Sequence, residues 1–144
     1  MRVVMPLETT VLDASTGKPI PKVKFVRVVC DIHNFGCRGA KIDSGEGTED
    51  GRIDLSGHRR WGVWLPVPGG LPVPNHQIAI WADGYKVVVF SQYDDDIDKF
   101  KVRQENENIA KILETVPKEN RVLINSETAN QVFKDGILKL ERVK

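Results

Sequence analysis

The sequence predicts a mostly β protein, a two-sheet antiparallel sandwich of about seven or eight short strands in one domain spanning residues 1–144. Three observations predict it. Brief runs rich in β-branched residues alternate apolar and polar positions, as a half-buried strand requires. Clusters of Gly, Pro, Asn and Asp separate these runs at short intervals. No heptad, internal repeat or low-complexity tract competes with that pattern.

Taken in order, Leu7 to Asp13 carries Thr9, Thr10 and Val11 and reads as a strand, and Ser15-Thr16-Gly17-Lys18-Pro19 has the chemistry of a turn. Val23 to Cys30 reads as a second strand and as the hairpin partner of the first. Val23, Phe25 and Val29 are expected inward, and Lys22, Lys24 and Arg27 toward water. His33 to Gly47 contains Gly36, Gly39, Gly45 and Gly47 with scattered charges, which predicts a long exposed loop. Asp50-Gly51 then turns the chain into Arg52 to Leu55, with Ile53 and Leu55 inward.

Trp61 to Leu65 is strand-like, and Pro66 to Pro74 removes too many backbone donors to lie within a sheet, so a surface loop is expected there. Gln77 to Ala82 and Tyr85 to Phe90 form two strands about the Asp83-Gly84 turn. Ile109, Ile112, Leu113 and Val116 fit one face of a short helix within Gln104 to Thr115, stopped by Pro117. Arg121 to Ile124 is a strand, Ser126 to Phe133 a helical turn capped by Ser126, and Asp135-Gly136 leads into a last strand over Ile137 to Val143.

Composition narrows the function classes. The 144 residues hold 40% hydrophobic and 28% charged side chains, ordinary for a folded domain. Twenty-one basic and 20 acidic residues give a net charge of +1, so no broad positive field exists to attract nucleic acid. No apolar run reaches the ~18 residues of a membrane span. Met1 to Leu7 lacks the apolar stretch of a secretory leader, so the protein is expected in the cytoplasm, or in the periplasm or outside the cell if a leader has been removed; the compartment is left open.

Three blocks carry a resemblance: Val11-Leu12-Asp13-Ala14-Ser15-Thr16-Gly17-Lys18-Pro19-Ile20, Thr48-Glu49-Asp50-Gly51-Arg52, and Ala82-Asp83-Gly84-Tyr85-Lys86. In this order they resemble the carboxypeptidase regulatory-like domains of the transthyretin-like (prealbumin-like) superfamily. The resemblance implies a sandwich that binds or docks rather than one that catalyses. It covers Val11 to about Phe90 and, after that, matches only in a closing strand.

Two enzymes of that superfamily are poor matches. The hydroxyisourate hydrolase motif needs a histidine where Thr10 stands and a Tyr-Arg-Gly-Ser ending where the chain has Glu141-Arg142-Val143-Lys144. Arg52 alone matches, and an arginine cannot serve as the base. Intradiol dioxygenases need two tyrosines and two histidines on iron, whereas Tyr85 and Tyr93 come with no histidine pair at ligand spacing.

Other residue groups remain as candidates. Cys30, His33 and Cys37 could hold zinc or copper, could form a disulfide, or could be ordinary buried strand residues. Asp94, Asp96, Asp98 and Glu105 have calcium-loop spacing, but Lys99 stands where the loop needs glycine, so a solvated acidic turn is the expectation. Asp54, Ser56 and His58 lie near one another without the nucleophile elbow of a catalytic triad. Trp61, Trp64 and Trp81, with Pro68 and Pro72, could form an aromatic platform for a partner, or could cover an open end of the sandwich.

The sequence therefore points to a non-catalytic binding or assembly module. It has no assigned cofactor, catalytic residue or metal site, and it meets a protein, peptide or carbohydrate through the loops at 33–47 and 66–76. The alternatives are a small metal-binding or enzymatic domain on Cys30, His33 and Cys37, and a structural domain that forms homo-oligomers through a strand edge.

Overall fold

A computed structural model describes residues 2–3, 7–33, 36–55, 59–60, 73–91 and 114–143, with side chains at 7–27, 43–55, 77–90 and 114–143. The strands are β1 (Arg2–Val3), β2 (Leu7–Asp13), β3 (Lys24–His33), β4 (Gly36–Glu46), β5 (Arg52–Leu55), β6 (Arg59–Arg60), β7 (Val73–Trp81), β8 (Val87–Ser91), β9 (Arg121–Ile124) and β10 (Lys134–Leu140). Helix α1 spans Ser126–Phe133. Strands β10-β2-β5 form one sheet and β4-β3-β7-β8-β9 a second, while β1 and β6 pair with each other. The expected two-sheet β-sandwich is present, and its sheets are mixed: β10 runs parallel to β2 and β9 parallel to β8.

Alternation along each strand builds the core. In β2, Leu7, Thr9, Val11 and Asp13 point inward while Glu8, Thr10 and Leu12 stay half-exposed. Ile53 from β5 and Leu138 and Leu140 from β10 complete that layer, and Val23, Phe25, Ile78, Ile80, Val88 and Phe90 face it from the larger sheet. Helix α1 adds Ala129 and Phe133, and the Phe133 ring meets Phe90 edge-on at 6.1 Å between centroids. Its cap is Asn125, one residue before the expected Ser126; the Asn125 side chain accepts from the Thr128 amide at 2.8 Å.

The larger sheet also buries its other face. Val26, Val87 and Val89 cluster there, with Trp81, Val116 and Leu123 packed against them. That explains the unbroken apolar run Val87 to Phe90, which suits a strand covered on both sides.

Four expectations are corrected. Strand β3 is not the hairpin partner of β2; it pairs with β4 and β7 in the other sheet. The 14–22 segment doubles back along β2, with Ile20 N–H donating to Val11 O at 3.0 Å, before Lys22 takes a left-handed φ of 54° and redirects the chain. The expected loop from His33 to Gly47 is mostly β4, held against β3 from Lys24 opposite Glu46 to His33 opposite Gly36. Pro74 lies within β7 opposite Asp31, not in a loop. Arg27 is buried on the Val23 and Phe25 side rather than solvated, and its Nε and Nη2 donate to Asp43 Oδ2 at 3.2 and 2.7 Å. The expected strand at 61–65 lies outside the described residues, as does nearly all of the expected helix at 104–115.

Candidate functional site

Strand parity places a carboxylate where an apolar side chain would be expected. Asp13 follows Leu7, Thr9 and Val11 on the inward face of β2 and is 3% exposed. A buried carboxylate needs donors, and the fold supplies them from three segments. The turn after β2 donates the Ser15 and Thr16 amides to Oδ1 at 2.7 and 3.1 Å. The turn between β7 and β8 brings the Tyr85 hydroxyl to Oδ2 at 2.5 Å. The residues after β10 bring Arg142, whose Nε donates to Oδ2 at 2.9 Å with Nη2 also at 2.9 Å.

Backbone bonds hold the last of these segments in place. Ala14 N–H donates to Leu140 O at 2.9 Å, Lys86 N–H to Glu141 O at 2.8 Å and Val143 N–H to Gly84 O at 2.9 Å. The Arg142 guanidinium lies 5.8 Å from the centre of the Tyr85 ring, within cation–π range. Lys86 and Glu141 add an ion pair at 3.2 Å.

The electrostatics follow from these contacts. Hydrogen bonding from Tyr85 holds the Asp13 carboxyl far below the usual carboxylate range; burial opposes this, and Arg142 and the two turn amides reinforce it. The Tyr85 phenol is pushed up by its bond to Asp13 and by burial, and Asp13 likewise raises Arg142. Asp13 is thus a committed anion. It accepts on both oxygens and has no capacity left to take a proton in a reaction.

An open cleft of 640 Å³ lies beside this clasp. Asp13, Tyr85 and Arg142 are part of its lining, and Pro19, Ile20, Pro21 and Ala82 supply apolar surface. Lys18, Lys22 and Lys24 line it as well, opposed by Glu46 and Asp83. The lining combines an anchored guanidinium, three lysines and a stretch of apolar surface.

None of the candidate site residues singled out from sequence is among the described lining of the cleft. Trp81 is half-buried against Val26, Val87 and Val89 and does not line the cleft. Trp61, Trp64, Pro68 and Pro72 lie outside the described residues, as do Asp94, Asp96, Asp98, Glu105, Ser56 and His58. The backbone register sets Cys30 opposite Asn75, Cys37 opposite Ile32 and His33 opposite Gly36, and the side chains of these three are outside the described set. Arg52 pairs with Asp135 at 2.9 Å, away from the cleft lining.

Sequence reasoning missed the clasp, although one signal was present: an inward Asp at the end of an alternating strand calls for a partner. No protein-family model, curated protein or solved structure matches the chain.

Proposed function

We propose that the chain is a non-catalytic binding or assembly module that receives a protein or peptide partner in the cleft between the 14–22 and 82–86 turns. The observation that carries this is the saturation of Asp13: the buried acid beside the cleft is fully engaged by Ser15, Thr16, Tyr85 and Arg142. A site so arranged holds its shape and presents surface, and proton transfer would require dismantling it. Two of the three blocks that resemble carboxypeptidase regulatory-like domains, Val11 to Ile20 and Ala82 to Lys86, both contribute residues to the lining of this cleft.

Photo-crosslinking in cells tests the reading. A crosslinker at Lys18 is expected to trap a discrete partner that one at Glu127, exposed on α1, does not. Equal trapping from both positions, or substrate turnover abolished by Asp13→Asn, would refute it.

A second reading, self-association, is favoured by β4. It runs for 11 residues and, among the described residues, pairs along one side only, with β3. Light scattering that shows a defined oligomer would support it. The metal-binding alternative rests on Cys30, His33 and Cys37 sharing the β3–β4 hairpin, and metal analysis of the purified protein decides it.

A further inference from the structure

We propose that the cleft accepts an extended acidic peptide segment, one of whose side-chain carboxylates is gripped by Arg142 while neighbouring acids meet Lys18, Lys22 and Lys24. The inference rests on the binding-module reading and specifies its partner. Arg142 is the anchor because it is both accessible and fixed. Its side chain is 60% exposed, yet Asp13 engages Nε and Nη2, and the Tyr85 hydroxyl also stands within its hydrogen-bonding reach. A guanidinium carries five donors, so the Nη1 edge stays available, already oriented, for a second carboxylate. Fixing it in advance removes much of the ordering entropy that a free arginine would lose on binding.

Charge selects the class of segment. Once Arg142 is matched with Asp13, the remaining cleft charges are Lys18, Lys22 and Lys24 against Glu46 and Asp83. The nearby Lys22–Glu49 pair, at 3.5 Å with side chains 66% and 73% exposed, is loose enough to exchange for an incoming acid. The four cations of the lining, set against Asp13, Glu46 and Asp83, leave a net positive charge that favours an acidic segment over a basic one. A sugar would want an open aromatic face, and Arg142 lies over that of Tyr85. Pro19, Ile20, Pro21 and Ala82 supply apolar surface for the backbone and side-chain stems of a peptide, and 640 Å³ falls within the size range of ligand clefts.

The test is amide-resolved NMR titration of the full chain with three capped octapeptides: one rich in Asp and Glu, its Asn and Gln counterpart, and a Lys-rich one. Capping removes terminal carboxylates. The acidic peptide is expected to shift the amides of 16–22, 82–86 and 141–143 and to lose affinity as salt rises. Lys18→Glu with Lys22→Glu, both at exposed turn positions, should weaken it by about tenfold or more, and Arg142→Lys by several-fold through loss of the planar fork. Equal binding of the neutral peptide, or cleft shifts with the Lys-rich one, would overturn the acidic assignment while leaving the module reading intact. Acidic-peptide shifts confined to another surface would overturn the proposed site. Failure of the module reading itself would show separately, in the crosslinking and turnover experiments.

Discussion

Substituting Gly51 by alanine should destabilise the domain by about 2–3 kcal/mol, and the reason is local. Gly51 has a φ of 75°, and a Cβ there would stand 2.5 Å from Val11 O and 3.2 Å from Ile20 N. Val11 O already accepts from Ile20 N–H at 3.0 Å, and Val11 N–H donates to Gly51 O at 2.8 Å. The methyl group therefore has to push apart the bond that seats Ile20 at the cleft. A left-handed alanine costs about 1–2 kcal/mol, and a strained or lost backbone hydrogen bond about 1 kcal/mol more. Gly17→Ala is the control, because Gly17 has a similar φ of 71° but nothing within 4 Å of the added Cβ, so only the conformational cost of about 1–2 kcal/mol applies. Urea unfolding gives both values, and hydrogen exchange at the Ile20 amide reports the bond directly. Equal destabilisation by the two variants, with Ile20 protection unchanged, would refute the argument.

Other outcomes follow from the core and the clasp. Phe133→Ala should cost about 3–5 kcal/mol in urea unfolding, because it empties the contact between α1 and Phe90; a loss under about 1 kcal/mol would mean that α1 does not close the sandwich. Asp13→Asn should lower the melting temperature at pH 7. Because the folded pKa of Asp13 is depressed, its contribution is complete above the unfolded value near ~4 and is lost progressively as pH falls from there toward the far lower folded value, so native chain and variant should converge only in strong acid. Alkaline absorbance titration should show the Tyr85 phenol ionising above the ordinary ~10, a late step that Asp13→Asn moves to lower pH. Phenols titrating together at the ordinary value in the native chain would contradict the Tyr85–Asp13 bond.

Much of the fold was legible in the sequence because alternation and turn chemistry act locally. The Leu7 to Asp13 strand, the Asp50-Gly51 turn into Ile53, and the Asp83-Gly84 hairpin depend on neighbours a few residues away, and they appear as expected. Strand β4 was hidden because Gly36, Gly39 and Gly45 have poor strand propensity; pairing with β3 overrides it. The pairing of β10 and β9 with their parallel neighbours depends on packing between distant segments, which periodicity does not encode. Arg27 was misplaced because residue type was weighed above parity: 23, 25 and 27 share a face, and Asp43 across the ladder satisfies the buried charge. The cleft itself was unreadable for the same reason, since its walls come from turns that become neighbours only once both sheets are built.

The parallel pairing of β10 with β2 has a further result for how the chain is made. Thr9 bonds to Gly136 across 127 positions, and Asp13 to Arg142 across 129. During synthesis, β2 can pair with β5 once 52–55 emerge, but its other edge waits for 134–140, and closing so wide a loop comes late and slowly. Until then that edge of β2 presents unpaired backbone donors and acceptors to wrong strand partners, the kind of exposure that chaperones shield.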